Sequence, residues 1–347
     1  MMQLKQYVSG AIVVGCGRMG ARHVKVLCDL SIKIVALVDT NFSNIKLILE
    51  SLDQEIQPES YTNFSEALKN HSPDLVVIST TSDTHYSFAA SVIELNIPLL
   101  FLEKPLATSI DSCYKLMEAE NNSKTRVAVN HSMRFLPNWL IPKDLLSSEK
   151  YGGFTSLTVN AGNFGMAMNS THILEGFRLL SCELPYKISA WLQDQNEVNP
   201  RGKNFKDVSG CLRVTTKSGK RLYIDASADQ GQGSQFTFMA KYGRITIDEL
   251  EGRMITSIRK PENRKLACSQ FATLSDVEDK NIPPCETIES TKKVLLSLIN
   301  NEDYPNLKDA ASAVKTLIAG YKSSRQGGLE INIESISNDD KEEFPWP

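Results

Sequence analysis

The pattern of apolar and polar residues divides this chain of 347 residues into two parts. Up to about residue 130, short apolar runs alternate with stretches whose apolar residues recur at helical spacing. Such runs are typical of parallel strands buried on both faces. We therefore predict an α/β fold with a doubly wound parallel sheet. The predicted strands are 11–14, 32–38, 74–79, 98–102 and 126–129, and the predicted helices are 18–29, 42–52, 64–70, 83–95 and 109–120.

Beyond Pro142 the pattern changes to short segments in which apolar and polar residues alternate. Alternation is typical of a sheet with one covered face, and it predicts an α+β second half with few helices. The predicted strands are 153–161, 186–194, 208–217, 221–228, 234–241, 243–249 and 253–259, and the predicted helices are 170–182, 286–300 and 307–324.

These patterns predict a first domain over 1–130, a second over 131–337 and an acidic tail over 338–347. We expect the tail to be disordered, because its composition resembles that of loose chain ends. The alternative is that its Phe344-Pro345-Trp346-Pro347 segment docks onto a neighbouring subunit.

Three glycines follow the first predicted strand in a G-x-G-x-x-G arrangement. Gly15 permits a tight turn, Gly17 allows backbone to approach a pyrophosphate, and Gly20 allows close packing of helix and strand. The N–H groups at the start of the next helix favour phosphate charge. The motif, placed between a strand and a helix, predicts a dinucleotide-binding Rossmann domain. The alternative is a strand–turn–helix unit that binds no ligand.

Asp39 ends the second predicted strand, nineteen residues after Gly20. An acidic side chain there can accept hydrogen bonds from an adenosine ribose. It would repel a 2′-phosphate, and Thr40-Asn41 supplies no arginine to receive one, so we expect NAD rather than NADP. The alternative is an aspartate that only caps a loop.

Polar residues also follow the strands at 74–79 and 98–102. The hydroxyls of 79–84 could line a cofactor pocket, or Ser82 or Asp83 could cap the next helix. Glu103-Lys104-Pro105 follows a fully apolar strand, and buried charges are costly unless they are paired or used. The alternative for this tripeptide is a surface turn ended by Pro105.

Composition excludes several classes of protein. The net charge is −3 and the isoelectric point is near 6.0, so no basic field would recruit nucleic acid or anionic lipid. We find no run of 18 apolar residues and no apolar signal-peptide core at the start. Seven scattered cysteines argue against a disulfide framework and a zinc site, so we expect no metal and a reducing cytoplasm.

Taken together, the motifs resemble the Gfo/Idh/MocA family of oxidoreductases. In that family an E-K-P tripeptide closes a strand of the nucleotide domain, and its lysine faces the nicotinamide. Arg134-Phe135 is similar to the crossover into the second domain. The resemblance implies an NAD site formed by Gly15, Gly17, Arg18, Met19, Gly20, Asp39, Thr80, Thr81, His85, Glu103 and Lys104.

The same resemblance implies the architecture of the second domain. In the family, this domain is a large open, mainly antiparallel sheet with helices on one face, and the late helix, here 307–324, packs back on the first domain. An uncovered sheet face of that size needs a partner, so we expect a homodimer or homotetramer.

His172 lies in the first turn of a predicted helix, where the positive helix end disfavours imidazolium. On sequence alone it could be a histidine without chemistry. The family carries a D-x-x-x-H-x-x-D pattern on this helix, with the histidine as acid and base. Aligned on His172, the last acid becomes Glu175 but the first becomes Met168. The resemblance implies substrate contacts from Arg134, Asn163, Asn169 and Glu175, with Asn163 or Asn169 replacing a lost hydrogen bond.

The expected reaction is hydride transfer between a nicotinamide and a secondary alcohol or ketone of a sugar, cyclitol or nucleotide-linked sugar. Lys104 would stabilise charge on the carbinol oxygen, and His172 would take or return its proton. Some members of the family are sensors or repressors, and Met168 favours that alternative. A third alternative is a Rossmann enzyme of other chemistry, such as an epimerase.

Overall fold

The computed structural model describes residues 8–162, 165–193, 202–227, 230–231, 233–268 and 275–347. The chain divides into two compact units. The first contains the residues up to Ser132 together with Thr287–Val314 and Asn338–Pro347. The second contains Met133–Glu286 and Lys315–Ser337.

The first unit contains a parallel sheet of six strands within the described residues, in the order β3-β2-β1-β4-β5-β6. The doubly wound α/β prediction is therefore confirmed. The strands β1, β4 and β5 are buried at every residue, which explains why their apolar runs could be recognised. The strands are β1 Ala11–Val14, β2 Ile34–Val38, β3 Glu59–Tyr61, β4 Leu75–Ile78, β5 Leu99–Leu102 and β6 Arg126–Val129.

Helices connect these strands. They are α1 Arg18–Asp29, α2 Phe42–Ser51, α3 Phe64–Asn70, α4 Ser82–Glu94 and α5 Ile110–Asn121. Asn41 and Asn63 cap α2 and α3 by accepting hydrogen bonds from backbone N–H groups of the first turn. Helix α4 has Thr81 as its N-cap, so neither Ser82 nor Asp83 has the capping role that was the alternative for them. Helix α8, Thr287–Asn300, packs against β5, β6 and α1.

The acidic tail is ordered in the first unit, so the expectation of disorder is wrong. Phe344 is 3% exposed and Trp346 is fully buried, and their rings stack with centroids 5.2 Å apart. The acidic composition of the segment concealed two aromatic side chains whose burial offsets the entropy of ordering it.

The second unit contains a mixed sheet, nine strands within the described residues, in the order β14-β13-β12-β11-β7-β10-β9-β8-β15. All pairs are antiparallel except β7 with β10, which confirms the predicted α+β class and the mainly antiparallel sheet. The strands are β7 Phe154–Gly162, β8 Lys187–Gln193, β9 Ser209–Thr215, β10 Arg221–Ser227, β11 Gln235–Ala240, β12 Gly243–Asp248, β13 Arg253–Arg259, β14 Ser275–Asn281 and β15 Ile331–Asn332.

One face of this sheet forms the core of the unit. Phe236 and Phe238 of β11 are fully buried, and both pack edge-on against Trp139 with ring centroids 5.7 Å apart. On the same sheet, Trp191 is 53% exposed and Met239 is 38% exposed. The alternation predicted from the sequence is therefore present.

Helix α6, Pro137–Ser147, was not predicted. Pro142, beyond which the sequence pattern changes, lies inside it. The helix tolerates it because Asn138, Trp139 and Leu146 are buried, so packing outweighs the lost backbone hydrogen bond. The described residues of this unit also form α7, Thr171–Ser181, and the second part of α9, Leu307–Arg325. In the described residues no helix is both long enough and apolar enough to cross a membrane.

Candidate active site

The glycine loop joins β1 to α1 in the first unit. Gly15 has a φ of +88°, and a Cβ there would lie 2.7 Å from the backbone of Ser79. A Cβ on Gly20 would overlap the carbonyl oxygen of Gly15. Both glycines are therefore required by the protein itself, through a left-handed turn and a close approach of backbones.

Gly17 differs from these two glycines. Its φ of −74° is open to any residue, and apart from its chain neighbours no described heavy atom lies within 4 Å of a Cβ built there. The position precedes Arg18 and Met19, the first residues of α1, whose N–H groups have no partner within the helix. The space that Gly17 leaves open at a helix N-terminus fits a pyrophosphate, as a dinucleotide requires.

Asp39 follows β2 and orders the same loop. Its carboxylate accepts hydrogen bonds from Cys16 N at 2.7 Å, Asn41 N at 2.8 Å and Asn44 Nδ2 at 3.2 Å. A carboxylate offers about four acceptor positions, so these bonds leave room for a ribose hydroxyl. Burial and the charge of Asp39 raise the pKa of the Cys16 thiol to about 12. The thiol therefore stays protonated and is not a nucleophile.

The loop after β4 contains Thr80 and Thr81, which are both half-buried. The Thr84 hydroxyl donates to the Thr80 hydroxyl at 2.8 Å. His85 is buried, and its ring nitrogens lie 2.7 Å from Pro105 O and 3.2 Å from Thr80 O. Burial lowers the pKa of His85, although the two carbonyls oppose this. The His85 ring thus connects the loop after β4 to the loop after β5; a cofactor contact from it stays a prediction.

Glu103 is the first residue after β5 and is 5% exposed. Its Oε1 accepts hydrogen bonds from His23 Nε2 at 2.8 Å and Asn130 Nδ2 at 2.7 Å. Burial alone would raise the pKa of Glu103, but the hydrogen bond and charge of His23, the charge of Lys104 and the hydrogen bond of Asn130 outweigh it and hold the pKa well below its usual range. Glu103 is therefore a buried anion at the sheet edge.

Sequence reasoning missed His23 and Asn130, which are both 2% exposed. His23 lies three residues after Gly20, on the buried side of α1. A polar residue on an otherwise apolar helix face was the available signal. Its partner could not be found that way, because 80 positions separate it from Glu103.

Lys104 continues from Glu103 and is half-buried, and its backbone N–H lies 3.3 Å from Glu103 Oε2. Within the first unit, the glycine loop, Asp39, Thr80, Thr81 and Lys104 all follow the carboxyl ends of strands β1, β2, β4 and β5. These strands are neighbours in one parallel sheet, so their carboxyl ends share an edge. That is the edge at which doubly wound sheets bind ligands.

In the second unit, α7 is preceded by a π-helical turn, Met166–Ser170, that the sequence did not predict. The carboxylate of Asp207 accepts hydrogen bonds from Ala167 N at 2.7 Å and Met168 N at 2.9 Å. A Cβ on Gly165 would overlap this carboxylate. Asp207 thus anchors the turn that leads to His172, and its position 40 residues from Ala167 hid this role from sequence reasoning.

His172 is the second residue of α7 and is half-buried. Met168 and Asn169 lie in the preceding π-helical turn and are also half-buried. Asn163 lies outside the described residues. Roles for these side chains in substrate binding or proton transfer stay predictions.

Glu175 is 1% exposed and contacts two arginines. Its Oε1 accepts from Arg134 Nη1 at 3.2 Å and Arg178 Nη2 at 3.1 Å. Arg134 is itself only 4% exposed. The Glu175 carboxylate thus pairs with both guanidinium groups, and its contact with Arg134 fixes α7 to the segment before α6. A direct substrate contact from Arg134 or Glu175 stays a prediction.

Comparison with known proteins agrees with this geometry. Residues 10–131 match the model of the Gfo/Idh/MocA oxidoreductase family, an NAD-binding Rossmann fold. The match covers the predicted dinucleotide-binding part of the chain, and it confirms the resemblance found in the sequence.

A curated relative is inositol 2-dehydrogenase 2 of Saccharopolyspora erythraea. It is 29% identical over 249 residues, which cover 70% of this chain and 70% of the relative. Further curated relatives align with only 22% to 42% of their own length.

Solved structures extend the likeness in fold to nearly the whole chain. An Agrobacterium radiobacter oxidoreductase in complex with NAD+, L-tartaric acid and magnesium matches with a TM-score of 0.76 and 15% identity, over 94% of this chain and 99% of that one. The transcriptional regulator Gal80p of Kluyveromyces lactis also has a TM-score of 0.76, with 14% identity, over 95% of this chain and 92% of that one.

Proposed function

We propose that this protein is an NAD-dependent oxidoreductase that interconverts a secondary alcohol and a ketone. The proposal is carried by the sheet edge at which the space beside Gly17, the Asp39 carboxylate and Lys104 follow neighbouring parallel strands. A family match to NAD-binding oxidoreductases over residues 10–131 supports it.

The residues at this edge fit a nicotinamide dinucleotide. The first turn of α1, with Gly17, Arg18 and Met19, would receive the pyrophosphate. Asp39 would accept hydrogen bonds from the adenosine ribose, and its charge would exclude a 2′-phosphate. When bound, the nicotinamide supplies the carbon that accepts or gives the hydride.

Two side chains would manage the single proton of the reaction. In oxidation, the ammonium of Lys104 donates a hydrogen bond to the carbinol oxygen and stabilises negative charge on it. His172 accepts the proton of that hydroxyl on an imidazole nitrogen. In reduction, His172 returns the proton to the same oxygen.

The substrate class that we propose is a cyclitol or a sugar, free or nucleotide-linked. The curated relative named above, an inositol 2-dehydrogenase, supports the cyclitol. The test is to incubate the protein and NAD with cyclitols, sugars and nucleotide-linked sugars and to record reduced nicotinamide. Native mass spectrometry of copurified molecules gives a second route to the substrate.

The alternative is a dinucleotide-binding sensor without turnover. Met168, in place of a carboxylate near His172, favours it, and a fold shared with a transcriptional regulator is compatible with it. NADH binding without turnover across the whole panel would favour the sensor, whereas turnover of any member that depends on Lys104 would exclude it. A cytoplasmic location stays a prediction.

The open sheet face is proposed to bind a second copy of this chain, giving a homodimer or homotetramer. Trp191 and Met239 expose apolar surface on strands whose alternate residues are buried. Light scattering after size-exclusion chromatography should give the mass of an oligomer for the wild type, and Trp191→Glu should reduce it. Leu47→Glu is the control, since Leu47 is 66% exposed on α2.

A further inference from the structure

The segment Asn338–Pro347, called the strap below, lies on the first unit and reaches loops at the proposed cofactor edge. Most of its named contacts involve its backbone, so its acidic composition gave no signal of them.

The strap holds the start of α4. The Ser82 hydroxyl donates a hydrogen bond to Trp346 O at 2.9 Å, and Ser82 is only 2% exposed. Ser82 directly follows Thr80 and Thr81, the residues proposed to line the cofactor site. Displacement of Trp346 would therefore release the residue at which this loop becomes a helix.

The strap also holds the chain between Lys104 and α5. Phe344 N donates to Thr108 O at 3.0 Å, and Asp111 N donates to Asp340 O at 3.0 Å. Within the same unit His85 contacts Pro105 O and Thr80 O, so the two loops are also joined to each other. The strap and His85 thus restrain the same pair of loops.

The aromatic side chains give the strap its anchorage. Trp346 is fully buried and Phe344 is 3% exposed, and their rings stack at an interplanar angle of 24°. Side chains of this size, when fully buried, dominate local packing energetics. A segment held in this way is a fixed part of the domain and can hold the loops that it touches.

We propose that Phe344 and Trp346 are positioning residues, through which the strap fixes the loops carrying Thr80, Thr81 and Lys104 in the geometry that binds the dinucleotide. They act through Ser82 and Thr108 and need no contact with the cofactor. The effect on dinucleotide binding rests on the proposed function, whereas the restraint of the two loops does not.

The first measurement is hydrogen–deuterium exchange of the free protein. In Trp346→Ala we expect the amides of 80–85 and 104–111 to exchange faster, while those of β1 and β2 keep their protection. Ile45→Ala is the control, since Ile45 is fully buried on α2 in the same unit, away from the named contacts of the strap. Unchanged exchange in the two loops, or equal acceleration in the control, would overturn the inference.

The second measurement is NADH affinity by fluorescence titration. We expect Trp346→Ala to raise the Kd by about tenfold, because without the buried indole ring the strap would no longer hold the carbonyl of residue 346 against Ser82. Trp346→Phe should largely restore the affinity, and Ser82→Ala should give a smaller loss even if Trp346→Ala fails to fold. A purely structural strap would lower Tm in these variants and leave the Kd of the folded protein unchanged.

The outcomes separate the two levels of the proposal. Failure of the wild type to bind NADH would overturn the proposed function and the cofactor part of this inference, while exchange would still decide whether the strap holds the loops. Wild-type binding with an unchanged Kd in every strap variant would overturn the positioning role alone.

Discussion

The edge of the parallel sheet and the surroundings of α7 contrast in how their residues are held. At the sheet edge, Asp39, Thr80 and Lys104 each lie within two residues of the end of a strand, so the spacing along the chain predicts their place. Around α7, the arrangement depends on hydrogen bonds between residues far apart in the chain. Asp207 accepts one from Ala167 N, 40 positions away, and Glu175 accepts one from Arg134, 41 positions away. The first region can be recognised from local motifs, whereas the second depends on pairings that only the fold creates.

The largest expected effect concerns the α7 region. Glu175→Ala leaves the Arg134 and Arg178 charges without their buried carboxylate, so we expect it to lower the free energy of unfolding by about 3 kcal/mol or more. Urea denaturation checks this. The control is Glu334→Ala, whose ion pair with Lys217 is solvent-exposed and should contribute under about 1 kcal/mol. Similar losses in both variants would mean that Glu175 does not hold this region.

At the sheet edge the largest expected effect is on catalysis. Lys104→Met should retain NADH binding but reduce turnover by a factor on the order of a hundred or more, because the group that stabilises the carbinol oxygen is lost. Steady-state rates with an active substrate measure this. The control is Lys25→Met, on the exposed side of α1, which should keep its rate. Full turnover in Lys104→Met would remove Lys104 from the mechanism.

His23 connects α1 to this edge, and its contribution should depend on pH. The pKa of Glu103 is held below its ordinary value of 4.5, so its pairing stabilises the fold above that pH and is lost as pH falls through the folded-state pKa. His23→Ala should therefore cost about 2 kcal/mol near pH 7, and less below about pH 4. The comparison is with Val24→Ala, whose loss should be independent of pH. A constant loss in His23→Ala would contradict the role assigned to the pair.

The smallest expected effect is that of Gly17→Ala on NADH binding, and Gly20 of the same motif provides the comparison. Gly17→Ala should keep the Tm of the wild type and weaken NADH binding by about tenfold, since the new methyl group enters space open to the ligand. Gly20→Ala should lower Tm sharply, because its Cβ would overlap the Gly15 carbonyl. Thermal denaturation and NADH titration of both variants distinguish these outcomes. Loss of stability in Gly17→Ala would show that this glycine also serves the fold.

The sequence predicts the parts of the fold in which local pattern and tertiary environment agree. Strands β1, β4 and β5 are apolar and buried at every residue, so they could be recognised. Strands β3 and β14 were not predicted, because they are polar segments at sheet edges, where pairing with a neighbouring strand rather than burial determines the structure. Helix α6 was missed for a different reason: its Pro142 opposes helix formation locally, and the burial of Trp139 and Leu146 overrides it.

The candidate site shows the same division. The glycine motif, Asp39 and Lys104 have fixed spacings relative to strands, so their common edge follows from the topology. The roles of His23, Asn130, Asp207 and Trp346 depend on hydrogen-bond partners that lie 27 or more positions away in the chain. For the strap, composition led to the wrong prediction of disorder, because acidic residues precede its two buried aromatic residues in the sequence.

The most direct test of the central claim, an NAD site at the edge formed by the glycine loop and Asp39, is a parallel fluorescence titration of wild-type protein with NADH and NADPH. We expect saturable binding of NADH and weaker binding of NADPH, because the Asp39 carboxylate repels a 2′-phosphate and accepts hydrogen bonds from a free ribose. Binding of neither dinucleotide would contradict the site, and tighter binding of NADPH would contradict the role of Asp39.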